Sequence, residues 1–204
     1  MNFDSLDGGF SWFPDEQFTR TSHALATGSG VWLVDPVDAS EPLERAAELG
    51  EPAGVLQLLD RHERDCAKIA ARLEVPHLRV PAAVAGSPFT VVPVLKLPRW
   101  HEIALWWPER RVLVVAETIG TNPGFALGRR SPAGVHPLLR LAPPGALRGY
   151  EPEHLLVGHG RGIHGPAASA ALERAYARTR KDLPALAGTL SAAARAAVSA
   201  RMPR

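Results

Sequence analysis

The stretch Gly54-Val55-Leu56-Gln57-Leu58-Leu59-Asp60-Arg61-His62-Glu63-Arg64-Asp65-Cys66 decides how the rest of the chain is read. Its first six residues form an apolar run of strand length. A helical pattern follows over His62–Leu73, with its body at Ala67–Leu73. The polar residues Asp60 to Asp65 therefore fill a strand-to-helix turn, which projects side chains at the end of a sheet. Acidic groups there suit the positive end of a helix. Taken alone, the turn reads either as an exposed charged loop with a capping aspartate or as a metal or acid/base site.

Outward from this turn, further strand-like runs lie at Ser22–Thr27, Val31–Asp35, His77–Val80, Thr90–Leu95, Glu102–Trp107, Arg111–Ala116 and His154–Val157. Helical patterns lie at Pro42–Leu49, at Pro137–Leu141 and through an Ala/Arg-rich tail from about Pro166 to Arg201, which Pro184 and Gly188 break in two. Mixed order of this kind predicts helices packed outside a two-sheet core. No stretch reads as an interdomain linker, so residues 1–204 are expected to form a single domain. The Gly/Pro-rich segments Ala82–Pro88 and Gly120–Val135 are short enough to be surface loops.

The composition supports a folded chain: 46% of the 204 residues are hydrophobic and the net charge is only +2. That small sum hides a split. Residues 1–60 carry 11 acids against 2 bases, and residues 61–204 carry 10 acids against 21 bases. An acidic half lying against a basic half explains this, and a uniformly basic nucleic-acid binder would look different. The basic tail holds Tyr176 as its one aromatic for base stacking, so nucleic acid is not the expected partner. Cys66 is the single cysteine, which excludes an intramolecular disulfide framework. The acidic N-terminus lacks a signal-peptide pattern, and no run reaches the length of a membrane span. The expectation is a soluble cytoplasmic protein with no membrane partner; a small-molecule ligand is compatible with the sequence, which leaves the oligomeric state open.

Two more segments carry chemistry. Val157-Gly158-His159-Gly160 ends a strand, and Gly160 to Gly165 matches G-x-G-x-x-G. A dinucleotide fold needs several βα units after that turn, and here only helices remain. A phosphate loop would need a Lys-Ser/Thr pair after the glycines. Trp106-Trp107-Pro108-Glu109-Arg110-Arg111 forms a hairpin whose second strand ends in Glu117 after five apolar residues. A carboxylate terminating a buried strand is costly unless it is paired or bound.

In this order the pieces resemble the metallo-β-lactamase superfamily: Leu33-Val34-Asp35-Pro36 after an early strand, a strand followed by x-x-His-x-x-Asp, an aromatic-Pro-Glu hairpin leading to a strand-terminal acid, and a late Gly-His-Gly. The resemblance covers about residues 20–165. It implies an α+β fold, a four-layer αββα sandwich, with metal ions at one edge between the sheets. The family's H-x-H-x-D-H turn falls on Asp60-x-His62-x-Arg64-Asp65, so only its second histidine remains. The bridging aspartate becomes Glu117, and the late histidine is kept as His159. Asp35 matches an acid that supports the metal ligands from behind.

The resemblance thus implies a metal set of His62, His159, Glu117, Asp60 and Asp65, suited to zinc, iron or manganese. His101 and His164 are further candidates. Arg64 stands against it. A guanidinium ~4 Å from a divalent ion at an effective dielectric of ~20 is repelled by about 8 kcal/mol. Arg64 either points away or replaces the metal by bridging Asp60, Asp65 and Glu117. Two readings follow. In the first, the protein is a degenerate relative with a lost or weakened metal site and a binding or structural role. In the second, it is a metal-dependent hydrolase of an ester, thioester, lactone or phosphoester, with Asp60 or Asp65 accepting the proton. His23, His77, His136 and His154 have no partner at ligand spacing and read as structural. Cys66, four residues after His62, is expected to be core.

Overall fold

In the computed structural model, residues 1–15, 19–127 and 131–185 are described. Two sheets face each other. The first contains strands β1 (Asn2–Leu6), β2 (Gly9–Phe13), β3 (Ser22–Thr27), β4 (Gly30–Val34), β5 (Pro52–Gln57) and β6 (His77–Arg79), hydrogen-bonded in that order. The β1–β4 strands run antiparallel, and β4–β5 and β5–β6 are parallel. Helices α1 (Ser40–Leu49) and α2 (Cys66–Arg72) make the two crossovers. They pack on the outer face, where Phe10, Trp12, Leu33, Val55, Cys66 and Ile69 form one core cluster.

The second sheet contains β7 (Thr90–Leu97), β8 (Trp100–Trp107), β9 (Val112–Val115), β12 (His154–Val157) and β13 (Ile163–His164) in the order β13-β12-β9-β8-β7. Between β9 and β12 the chain forms the small pair β10 (Ile119–Gly120) and β11 (Gly134–Val135) around a helical turn, α3 (Pro123–Ala126). Helix α4 (Pro166–Arg178) covers this sheet through Ala168, Ala171, Leu172, Ala175 and Tyr176. The strands are nearly continuous apolar runs because each central strand is covered on both faces; Val112, Leu113, Val114 and Val115 of β9 are all buried. The fold is the α+β sandwich with helices outside two sheets that the sequence predicts.

Three local expectations need correction. The hairpin β1–β2 was absent from the predicted elements, although Asp7-Gly8 at its turn, with Gly8 at φ 64, is a hairpin signal. The helix expected from His62 begins only at Cys66, because Arg64 takes a left-handed backbone (φ 44) and holds Asp60–Asp65 as an irregular loop. Pro137–Leu141 shortens to one tight turn at Pro137–Leu139. The break at Gly188 and the terminal helix expected to reach Arg201 lie outside the described residues. Among the described residues, no helix is long and apolar enough to cross a membrane.

Candidate metal centre

The loop after β5 leaves the first sheet and is stitched to the second. Ile103 N donates to Leu58 O at 2.9 Å, and Asp60 N donates to His101 O at 3.1 Å. Asp35, buried at the end of β4 with φ 44, accepts from Leu58 N through Oδ1 at 3.0 Å. The start of the loop is thereby fixed by Asp35. Burial raises the Asp35 carboxyl pKa, and the Arg64 guanidinium works in the opposite direction.

Glu117 follows β9 and is held through its main chain by a second acid. Glu102, fully buried, accepts from Glu117 N (2.8 Å), Thr118 N (2.8 Å), Thr118 Oγ1 (2.8 Å) and Trp100 Nε1 (3.3 Å). Burial pushes the Glu102 carboxyl up, against these four donors. His159 follows β12, where Gly158 allows a close approach: a Cβ there would lie 2.2 Å from Ala116 O. The His159 carbonyl accepts from Thr121 N at 2.9 Å and Asn122 N at 3.2 Å, and its ring stacks on Phe125 with centroids 5.7 Å apart.

These scaffolds bring His62, Glu117 and His159 together, with one ligand atom of each within 4.8 Å of the others. Among the described residues no other three such side chains bring one ligand atom each to within that distance of one another. His62 Nε2 lies 3.4 Å from Glu117 Oε1, and His136 Nε2 lies 3.7 Å from the same oxygen. The His136 ring is wedged edge-on against Trp100 and Phe125. Its Nδ1 accepts from Leu138 N at 3.2 Å, which leaves Nε2 directed at the cluster. Read from the sequence as structural, His136 is instead a neighbour of the site. It arrives on a loop with no periodicity to reveal its direction; its one local mark is the His-Pro step opening the 137–139 turn.

The remaining candidates are placed elsewhere. Asp60 is not within the convergent group, although its Oδ1 is buried without a hydrogen-bond partner. Asp65 turns back to the first sheet and accepts from Asp38 N through Oδ2 at 2.9 Å. His101 alternates with Trp100 and Glu102 along β8 and so points to the opposite face. His164 is at the far edge of the second sheet, its Nδ1 2.8 Å from His154 Nδ1 and its Nε2 3.2 Å from Asp4 Oδ2.

The expected bridging by Arg64 is not what forms. Its guanidinium donates to three main-chain carbonyls, Thr21 O, Asp35 O (3.0 Å) and Gly158 O (2.9 Å). The left-handed turn at Arg64 carries the side chain beneath the loop, where it ties β3, β4 and β12 together. The arginine that reaches Glu117 is Arg61. Its Nε and Nη2 both donate to Oε2, at 3.1 and 2.5 Å, and its guanidinium carbon lies 3.8 Å from the Trp100 ring centre. Burial would raise the Glu117 carboxyl, but the neighbouring His62 and Arg61 outweigh it and hold the group down at about 2. Glu117 is thus an anion whose Oε2 is paired with Arg61 and whose Oε1 faces histidine nitrogens.

The donor set fits one cation. Imidazole nitrogens and an ionised carboxylate are ordinary ligands for zinc, iron or manganese. Around a tetrahedral ion at ~2.1 Å, neighbouring ligand atoms are about 3.4 Å apart, as His62 Nε2 and Glu117 Oε1 are. A second cation has no comparable ligand set among the described residues, since Asp60 and Asp65 do not join the group.

Behind the cluster lies one more charged group. Arg140, 1% exposed, donates from Nε to Val135 O at 3.0 Å and from Nη2 to Phe125 O at 2.6 Å, and its Nη1 is 3.7 Å from Asp182.

Solved structures share this architecture. DIM-1 metallo-β-lactamase superposes with a TM-score of 0.57 at 11% identity, covering 88% of this chain and 96% of the other. A metallo-β-lactamase from Hirschia baltica gives 0.56 at 11% identity, covering 87% and 97%. TTHA1623, crystallised in a di-iron-bound form, gives 0.55 at 18% identity, covering 79% and 96%. No family model and no curated protein matches the sequence.

Proposed function

The chain has the metallo-β-lactamase fold, and from that premise we propose that it is a degenerate, one-metal form of that site, in which a divalent ion serves to bind a small molecule. His62, His159 and Glu117 would hold the ion, with His136 beside them. A cation there would supply a Lewis acid for a carbonyl or phosphoryl oxygen and a lowered pKa for bound water.

This chain's own residues do the rest. Glu102 fixes the main chain of Glu117, Trp100 and Phe125 fix His136, and Asp35 anchors the loop that carries His62. Arg61 stabilises the Glu117 carboxylate and withdraws part of its charge from any cation, which weakens the site relative to a full ligand set. The observation that carries the reading is Glu117 Oε1 facing His62 and His136 nitrogens at 3.4 and 3.7 Å with His159 alongside.

Elemental analysis of protein purified without added metal, combined with calorimetric zinc titration, tests the proposal. Near-stoichiometric binding that is lost in His62→Ala and in His159→Ala is expected. A wild-type protein that takes up no zinc, iron or manganese would leave the metal-free account, with Arg61 in place of the cation.

A second reading, hydrolysis of an ester, thioester, lactone or phosphoester, is favoured by one observation. Asp60 Oδ1 is buried and unpartnered at the start of the same loop, as a proton acceptor would be before its substrate arrives. Turnover of p-nitrophenyl acetate by the zinc-loaded protein, lost in Asp60→Asn with zinc uptake retained, would establish it.

A further inference from the structure

Arg61 has more donors than Glu117 uses. A guanidinium presents two edges: a side-on edge of Nε and Nη2, and an end-on edge of Nη1 and Nη2. The side-on edge is spent on a single carboxylate oxygen, Glu117 Oε2. Its Nη1, and with it the end-on edge, donates to no protein acceptor among the described residues. Neither is the side chain buried, since 36% of it is exposed.

The group is also held in place. Trp100 supports one face of the guanidinium at 3.8 Å, and the fork on Glu117 fixes its rotation. Trp100 is itself buried and held through Nε1 to Glu102. A planar, permanently charged fork that is already ordered loses little entropy on capturing an oxyanion bidentately. The carboxylate it grips through Oε2 is the one whose Oε1 faces His62 and His136.

We propose that Arg61 is the specificity-determining residue of this site, and that its end-on edge receives a carboxylate or phosphate group of the small-molecule ligand. The inference rests on the one-metal reading for its location beside a bound ion, and it adds the class of ligand: anionic, with the oxyanion docked on Arg61. A neutral ligand of the same shape would leave the fork without an acceptor.

The test uses the full-length protein, with and without stoichiometric zinc, and follows tryptophan fluorescence as ligand is added. Phenylphosphonate and benzoate are the two oxyanion probes, and benzamide is the neutral control. Saturable binding of at least one oxyanion, with none of benzamide, is expected in the wild type. Arg61→Lys, which keeps the charge and loses the fork, is expected to weaken it at least tenfold, and Arg61→Leu to abolish it. Whichever probe binds more tightly identifies a phosphate or a carboxylate ligand. Separate zinc calorimetry is expected to give Arg61→Leu an affinity no lower than wild type, which excludes collapse of the cluster as the cause. Equal binding of benzamide, or oxyanion binding unchanged within twofold in both variants, overturns the proposal. Failure of the metal reading looks different: no zinc uptake, with Arg61-dependent oxyanion binding still present in the zinc-free arm.

Discussion

Two polar clusters lie at opposite ends of β12, and both are built from histidines and a carboxylate. At one end Asp4, His164 and His154 form a chain with contacts of 3.2 and 2.8 Å. Each of those contacts is a hydrogen bond, and the lone pairs concerned are already in use. At the other end of β12 His62 and His136 approach Glu117 at 3.4 and 3.7 Å, beyond an ordinary N–H···O distance. The same residue types are closed upon one another in one place and held apart in the other. What holds them apart is the scaffold: Glu102 on the Glu117 main chain, Arg61 on the outer oxygen, and the aromatic wedge around His136.

The largest way to break this contrast is to remove the scaffold. Glu102→Ala leaves four buried donors without an acceptor, and a loss of about 4 kcal/mol in urea unfolding is expected. Next in size is the exchange of one cluster against the other. His62→Ala is expected to weaken zinc binding at least a hundredfold, about 2.7 kcal/mol. His164→Ala is expected to leave zinc uptake unchanged and to cost about 1 kcal/mol of stability, read from the same titrations and melts.

Smaller than the loss of His62 is a pH effect within the first sheet. His23, bonded through Nδ1 to Ser11 Oγ at 2.7 Å, is held down to about 3 by burial and by Arg64, with Asp4 opposing. His154 is also lowered, by burial first and then by His164. A base whose folded pKa is depressed binds fewer protons folded than unfolded. Its contribution is therefore intact above ~6.5 and is lost as pH falls from there toward the folded value. For His23 alone the loss between pH 6.5 and 5 is about 2 kcal/mol, at roughly 1.4 kcal/mol per pH unit. Urea denaturation at pH 7 and pH 5 should show that slope, and His23→Gln should flatten it. A last effect sharpens the metal cluster: Arg61→Ala removes a competing charge and is expected to tighten zinc binding about tenfold, ~1.4 kcal/mol, in a calorimetric titration.

Much of this was legible because it was local. Apolar runs of strand length mark most of the strands, and the resemblance, not any local pattern, names His62, Glu117 and His159 together with Asp60 and Asp65, which stay outside the group. What escaped depended on direction. His101 and Trp100 are adjacent in sequence, yet a strand sends them to opposite faces, so one step of register separates a neighbour of the cluster from a bystander. Arg61 and Arg64 sit three residues apart in one loop, and the left-handed backbone at Arg64 decides which reaches Glu117 and which reaches the carbonyls of Thr21, Asp35 and Gly158. No pattern in the sequence announces that φ. His136 depends on the path of a loop whose anchors are aromatic contacts distant in the chain.

The buried guanidinium of Arg140 joins carbonyls on both sides of the 126–134 segment to Asp182, beyond helix α4. Opening any one of these attachments strands a charge in the interior, so the three segments have no inexpensive way to open separately. The loop that carries His136 and the turn at Asp182 are therefore expected to open as one cooperative unit. Their amides are expected to exchange with solvent together in a hydrogen-exchange experiment, more slowly than the exposed positions of Leu138 and Leu141 alone would suggest.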